Sequence, residues 1–289
     1  MVHGAGVCAY AGYESGEFLD IKSLDEAIVS AIRDAEEMSR IRIRDIVVAV
    51  PAPFSKLIVT AATIRLDPRK ERIKADDIDE LISLSLAKAR APEHVLMHST
   101  PISYTVDGYT SSEAPEGKRA GELSAEVSHM YVQERFLNTI SEILKTLSIE
   151  ISMCVSTPLA ESLLLIPEEE RVRPAVLIDV GYTHTDVSLV ENAALTNLTT
   201  IDMGGAQFAS DLAYGLEIPL ETAEQVKRKY TFLQEGEDKV ETIRMVTGVK
   251  RVEHGVIELI VGARADEFVD LLKRSLRMLG VRAETRPVT

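Results

Sequence analysis

Residues 175–186, AVLIDVGYTHTD, set an apolar run ahead of an Asp-x-Gly turn, a cluster of hydroxyls and a second carboxylate. Asp179, at the end of the run, can hold a metal ion through water, and Gly181 lets the backbone come close to a phosphate. The hydroxyls of Thr183 and Thr185 and the turn amides can donate to phosphate oxygens, with Asp186 closing the motif. That is chemistry for a magnesium nucleotide. Taken by itself, the segment is also what any β-turn uses. Further along, Asp202-Met203-Gly204-Gly205 opens a helix whose leading amides can receive phosphate. Glu224 and Lys227 stand one turn apart on the helix after it, where a solvated helix face is the other reading.

Other residues offer less. His94 and His98 lie four apart, but they flank a strand-like Val-Leu-Met run with no third ligand nearby, which reads as packed or exposed histidines. His184 sits in the loop itself and is either a phosphate contact or a turn residue. No Gly-x-Ser-x-Gly, Cys-x-x-Cys or Walker loop occurs, so no residue is assigned as catalytic.

To hold these groups the chain needs strands ending in turns and helices beginning at them. Helical spacing of Leu24, Ile28, Ala31, Ile32 and Ala35 predicts a helix over 23–40, with Ser23 and Glu26 as a capping box. Val, Ile and Thr enrichment predicts strands over 45–53 and 56–66, broken at Pro51 and Pro53. A helix over 76–90, an extended piece over 95–108, an exposed loop over 109–118 and a strand over 120–132 complete a small α+β unit. A helix over 133–147 then starts an α/β rhythm: strands over 151–155, 175–181 and 186–190, with a short helix after Pro158 and a meander ending at Ile201. The chain is expected to be helical at 208–214, 221–230 and 257–279. A short polar tail follows Gly280.

The chain has 289 residues, 45% of them hydrophobic, enough for two core-bearing units. With 32 Lys and Arg against 46 Asp and Glu the formal net charge is −14, which repels nucleic acid and anionic lipid on average. Cys8 and Cys154 sit in apolar, strand-like stretches and read as reduced core thiols. Neither an export leader nor a membrane span is expected, and the apolar face of 266–279 (Phe268, Leu271, Leu272, Ser275, Leu276, Leu279) is expected to pack in a core.

Three blocks in order, DVGYTHTDVSLV, TTIDMGGAQFASDLAYGL and TAEQVKRKY, resemble the second phosphate loop, the following Gly-Gly helix and the adenosine-side helix of FtsA, in the actin/Hsp70 ATPase superfamily. Earlier, IKADDIDELISLSLAKAR, VLMHSTPISYTVDG and GKRAGELSAEVSHMYV resemble the subdomain inserted in FtsA and also found in PilM. The resemblance implies an α/β, actin-like (ribonuclease H-like) ATPase fold with an inserted small α+β subdomain, incomplete at both termini. It implies a partial first lobe over 1–45, the insert over 46–132, a return to the first lobe over 133–174 and a second lobe over 175–289.

Carried over by position, Asp179 faces the metal and its waters. Gly181, Thr183, Thr185 and Asp186 wrap phosphate, Gly204 and Gly205 lie near phosphates and ribose, and Glu224 and Lys227 contact ribose or adenine. ATP and magnesium are the implied cofactors. FtsZ-like or other division proteins and self-association are the implied partners, in the cytoplasm, with no direct membrane anchor in this chain. The sequence departs from the family where Tyr182 and Thr183 replace consecutive glycines. The family's first phosphate loop and closing Gly-Gly adenosine motif have no match. Three readings follow: an ATP-binding division scaffold with at most a weak ATPase, an interaction module without nucleotide turnover, or a truncated form of an ordinary FtsA-like ATPase.

Overall fold

The computed structural model describes residues 2–14, 16–67, 72–231, 240–246 and 248–280, so the expected polar tail lies outside the described residues. The chain divides into two units, one over Met1–Leu177 and Ser188–Leu198, the other over Ile178–Val187 and Thr199–Pro287.

The first unit opens with a short antiparallel hairpin, β1 (Tyr13–Glu14) and β2 (Glu17–Phe18), and α1 (Ile21–Ser39). The cap of α1 is Asp20, whose carboxylate accepts from the Ser23 amide at 3.1 Å, and not the expected Ser23. A cap needs extended backbone one residue before the helix, which Asp20 has (φ −131°, ψ 92°) and Ser23, already in the first turn, does not. Then follow β3 (Asp45–Val50), a 3-10 turn over Ala52–Phe54, β4 (Ser55–Arg65), α2 (Ala75–Leu86), β5 (His94–Val106), β6 (Tyr109–Ser111) and β7 (Glu122–Gln133). The exposed loop expected over 109–118 thus begins with a short strand, which pairs antiparallel with β5. α3 (Glu134–Thr146), β8 (Glu150–Ser156), α4 (Thr157–Leu165) and α5 (Glu168–Arg171) continue the chain.

β3 and β8 pair in parallel, and β4-β7-β5-β6 form a separate antiparallel sheet. β7 is central to that sheet and carries an unbroken buried run from Val127 to Val132, as a strand covered on both faces does. Its outer half joins Ile64, Ile73 and Leu81 in one core, while Val132 packs with Val50, Phe54 and Phe136 in another. Phe54 and Phe136 stand 4.6 Å apart between ring centroids, with Phe18 stacked on both. Cys154 is partly buried on β8 as expected of a core thiol. Cys8 is exposed and outside any strand, as is the adjacent Val7, so this stretch is not the strand that its apolar residues suggest.

β9 (Ala175–Val180), β10 (Thr185–Glu191) and β11 (Ala194–Ile201) form a sheet in the order β11-β10-β9. In the second unit α6 (Gly205–Gly215), α7 (Leu220–Lys229), an antiparallel hairpin of β12 (Val240–Met245) and β13 (Gly248–Glu253), and α8 (His254–Met278) surround a core of Leu212, Leu216, Ile243, Ile257 and Val261. The expected packing face of 266–279 is the buried one, with Ser275, Leu276 and Leu279 inside and Phe268 edge-on to Phe208. Arg264 on α8 grips Asp211 on α6 with two hydrogen bonds, the second at 2.9 Å. That charge pair raises the Arg264 guanidinium further above its ordinary value.

Candidate functional site

The residues singled out above gather in the second unit, where the turn between β9 and β10 meets the start of α6. Gly181 closes the turn by donating its amide to the His184 carbonyl at 3.0 Å. The carbonyls of Gly181 and Tyr182 then accept from the amides of Gly205 and Ala206 at 3.0 and 2.7 Å, and the Gly204 amide donates to Gln207 Oε1 at 2.8 Å. The leading amides of α6 are therefore committed to the turn and to Gln207, and are not open to phosphate as the glycine pair suggests from sequence. The approach is so close that a Cβ on Gly204 would lie 2.5 Å from the Gly181 oxygen and 2.7 Å from that of Tyr182, both backbone atoms. That distance explains why glycine stands there.

Lys227 on α7 completes this face. Its ammonium donates to the Gly205 carbonyl at 2.9 Å, pairs with Glu224 at 2.7 Å and lies 5.2 Å from the centre of the Tyr182 ring. Glu224 is also held by Arg228 at 2.8 Å. Burial pushes its carboxyl up, and the bonds and charges of Lys227 and Arg228 outweigh this and hold it below the usual carboxylate range. Glu224 and Lys227 are thus half-buried parts of the site and not a solvated helix face.

The other side of the turn is a string of side chains. The Thr183 hydroxyl and His184 Nδ1 are 2.9 Å apart, His184 Nε2 is 3.6 Å from Asp186 Oδ2, and Thr200 on β11 donates to Asp186 Oδ1 at 2.6 Å. Burial drives the Asp186 carboxyl above its ordinary range; the Thr200 bond and His184 oppose the shift, and Asp179 adds to it by repulsion. Asp179 itself is exposed at the end of β9. Thr185 is fully buried and donates its hydroxyl to the Met203 carbonyl at 2.8 Å, which turns it away from any ligand. The structure therefore brings together Gly181, Gly204, Gly205, Glu224 and Lys227 on one side and Thr183, Asp186 and Asp179 on the other, and leaves Thr185 inside. Sequence reasoning missed Thr200 and Gln207. A hydroxyl across the next strand and an N3 glutamine behind the glycine pair were the signals available. Among the described residues, no group of three or more His, Cys, Asp and Glu side chains is arranged to hold a metal ion by itself.

The family model described as cell division protein FtsA matches residues 176–286, and the one described as the SHS2 domain inserted in FtsA matches residues 56–131. Over 280 residues the chain is 26% identical to the cell division protein FtsA of Buchnera aphidicola subsp. Baizongia pistaciae, covering 95% of this chain and 66% of that one. Over 283 residues it is 22% identical to the cell division protein FtsA of Bacillus subtilis, covering 96% and 64%. A chain of a PilM-PilN type IV pilus biogenesis complex superposes with a TM-score of 0.59 at 18% identity, covering 95% of this chain and 69% of that one. In sequence this chain is similar to FtsA, and its fold is actin-like. It spans 64% to 66% of the length of the two FtsA relatives. The FtsA match contains the whole turn, α6 and α7, and the SHS2 match covers nearly all of the sheet from β4 to β7. No described helix is long and apolar enough to cross a membrane.

Proposed function

We propose that this chain is a cytoplasmic FtsA-like scaffold of cell division that takes Mg-ATP at the turn between β9 and β10. On this reading it associates with itself, with an FtsZ-like polymer and with other division proteins. The observation that carries the nucleotide half is the convergence of three separate stretches, Asp179–Asp186, Gly204–Ala206 and Glu224–Lys227, on one face of the second unit. The donor set fits a metal-bound phosphate: Asp179 is an exposed carboxylate at a strand end, and Gly181 and Thr183 follow it in the turn. Asp179 would face the metal and its waters, Thr183 would meet phosphate, and Glu224 and Lys227 would border ribose or adenine. Bound magnesium would offset the phosphate charge.

The committed amides of α6 and the inward Thr185 leave few donors for phosphate, so binding is expected to be weak and hydrolysis slow. That same observation favours a second reading, an assembly module that keeps the fold without nucleotide turnover. Calorimetric titration with ATP, with and without magnesium, separates the two. Micromolar or weaker binding that magnesium strengthens supports the first, no heat at all supports the second, and sub-micromolar binding contradicts the expected weakness. Asp179→Ala should lose more affinity than Glu224→Ala. A ribose hydrogen bond contributes roughly 0.5–1.5 kcal/mol, whereas a carboxylate at the metal concentrates the charge compensation. Equal losses, or an Asp179→Ala protein whose binding still strengthens with magnesium, would remove Asp179 from the metal.

A further inference from the structure

Tyr182 is the turn residue whose side chain reaches across the site. Its backbone stays with the turn, where the carbonyl accepts from the Ala206 amide at 2.7 Å. Its ring lies against the start of α6 and against α7: the centre is 5.2 Å from Lys227 Nζ, and Cδ2 would stand 3.7 Å from a Cβ built on Gly205. The residue is half-exposed, at 50%. Gly181 and Thr183 flank Tyr182 in the turn, and its ring reaches the Lys227–Glu224 pair, so a ligand that joins these two sets of residues has to pass the ring.

An aromatic face carries negative π density, which receives a cation or the C–H edges of a base or sugar and repels the oxygens of a phosphate. The Lys227 ammonium, which could offset that repulsion, is already engaged. An ammonium has three protons to give, and Lys227 has three partners: the Gly205 carbonyl at 2.9 Å, Glu224 at 2.7 Å and the Tyr182 ring. The leading amides of α6 are committed as well, Gly204 to Gln207, Gly205 to Gly181 and Ala206 to Tyr182 itself. At the middle of the site a nucleotide therefore meets an apolar ring and spent donors.

We propose, on the nucleotide reading above, that Tyr182 is a specificity-determining residue whose ring makes the site recognise the nucleoside part of its ligand and denies it the affinity that a phosphate chain would add. The weak ATP binding expected of this chain thus has a cause that one substitution removes. Without the ring, the third proton of Lys227 turns to the phosphate next to the sugar in a charge-assisted hydrogen bond.

The test is calorimetric titration of the full chain with adenosine and with Mg-ATP, for the unmodified, Tyr182→Ala and Tyr182→Phe proteins. Adenosine reports the nucleoside contacts, so the ratio of ATP affinity to adenosine affinity isolates what the phosphates add. For the unmodified chain that ratio is expected to be near one. Tyr182→Ala should raise it to about tenfold, the scale of one hydrogen bond to a charged group. Tyr182→Phe keeps the ring face and loses only the hydroxyl, so it should restore the low ratio. A merely structural effect at this position would shift both ligands together and leave the ratio unmoved. The bonds that close the turn come from the Tyr182 backbone, so alanine retains them, and circular dichroism checks that it does. An unmodified chain that already prefers ATP by about tenfold overturns the role of Tyr182 without recourse to a variant, and so does an alanine ratio equal to the unmodified one. Either result leaves the nucleotide reading intact. A chain that takes ATP only after Tyr182→Ala supports the role given to the ring. If neither ligand binds to the unmodified or the alanine protein, the nucleotide reading falls and the role of Tyr182 falls with it.

Discussion

His129 and His184 each join hydroxyl side chains, and they differ in the charge of their partners and in their access to solvent. His129 lies on β7 with no exposed surface. Its Nε2 meets Thr60 and Ser85 at 3.1 and 3.0 Å, and its Nδ1 meets Ser99 at 2.8 Å. Thr60 and Ser85 can each give their proton to the other's backbone carbonyl, at 2.8 and 3.1 Å, which leaves both oxygens to accept from His129 Nε2–H while Ser99 donates to Nδ1. One arrangement of protons thus satisfies every group, and it ties β4, α2, β5 and β7 together. His184 has a carboxylate on one nitrogen and a hydroxyl on the other, with part of its ring in solvent. Hydrogen bonding alone therefore does not distinguish the two sites. A charged partner and access to protons do.

The largest effect expected from breaking this contrast is on the buried side. His129→Leu removes the acceptor for Ser99 and the donor for Thr60 and Ser85 inside a packed core, and is expected to cost about 3 kcal/mol. His184→Leu, partly exposed, should cost roughly 0.5–1 kcal/mol. Urea unfolding of the full chain compares them. Similar losses would erase the distinction.

A further contrast sits within the glycine pair. Gly204→Ala drives its Cβ into the carbonyls of Gly181 and Tyr182, which cannot move without opening the turn, and should cost about 1–3 kcal/mol. At Gly205 the new Cβ would lie 2.7 Å from Lys227 Nζ, the end of a flexible side chain, and the cost should stay under about 1 kcal/mol. Thermal unfolding of both variants checks the order. A Gly205→Ala loss as large as that of Gly204→Ala would mean that Lys227 is fixed more firmly than its contacts suggest.

Burial of His129 also predicts a response to acid. Burial lowers the His129 pKa from its ordinary 6.5, so the unfolded chain binds a proton more readily than the folded one. Stability from this site is complete above pH 6.5 and is lost as pH falls below it toward the folded value. His129→Gln should flatten that decline between pH 7 and 5. A decline that survives His129→Gln would assign it to other groups.

Much of this frame is legible in the sequence, because α1, β4, β7 and α8 carry strong period-specific patterns and the turn at 179–186 carries its own chemistry. α5 is not, because its residues, Glu168 to Arg171, have no apolar period. The β12–β13 hairpin is hidden because charged residues, Glu241 and Lys250, stand at inward positions of its alternation. At the site, the sequence motif places Thr185 and Asp186 toward ligand. On β10, however, four consecutive residues, Thr185 to Ser188, are buried, so the rule of alternating faces gives no guide there. The contact of Asp186 with Thr200 joins adjacent strands, and pairing register cannot be read from either strand alone.

The smallest expected effect is that of Asp186→Asn on stability, and it bears most directly on what the Asp186–His184 contact does for the turn. The Asp186 carboxyl is raised above its ordinary 3.8, mainly because burial disfavours its charge. A raised folded value means that stability from this group is complete below pH 3.8 and is lost as pH rises through the folded value. Asparagine is neutral throughout, keeps an oxygen for the Thr200 hydroxyl and has the same shape. It should therefore be within about 1 kcal/mol of the unmodified chain at pH 7, and on the stabilising side if the lost attraction to His184 is smaller than the desolvation removed. The two proteins should converge in stability below pH 3.8, where the aspartate is neutral in both the folded and the unfolded chain. An Asp186→Asn protein destabilised by several kcal/mol at pH 7 would show that the carboxylate holds the turn together as a structural ion pair, and His184 would then join His129 as a residue of the fold. A protein of unchanged or raised stability would leave Asp186 with the narrower task of orienting the imidazole.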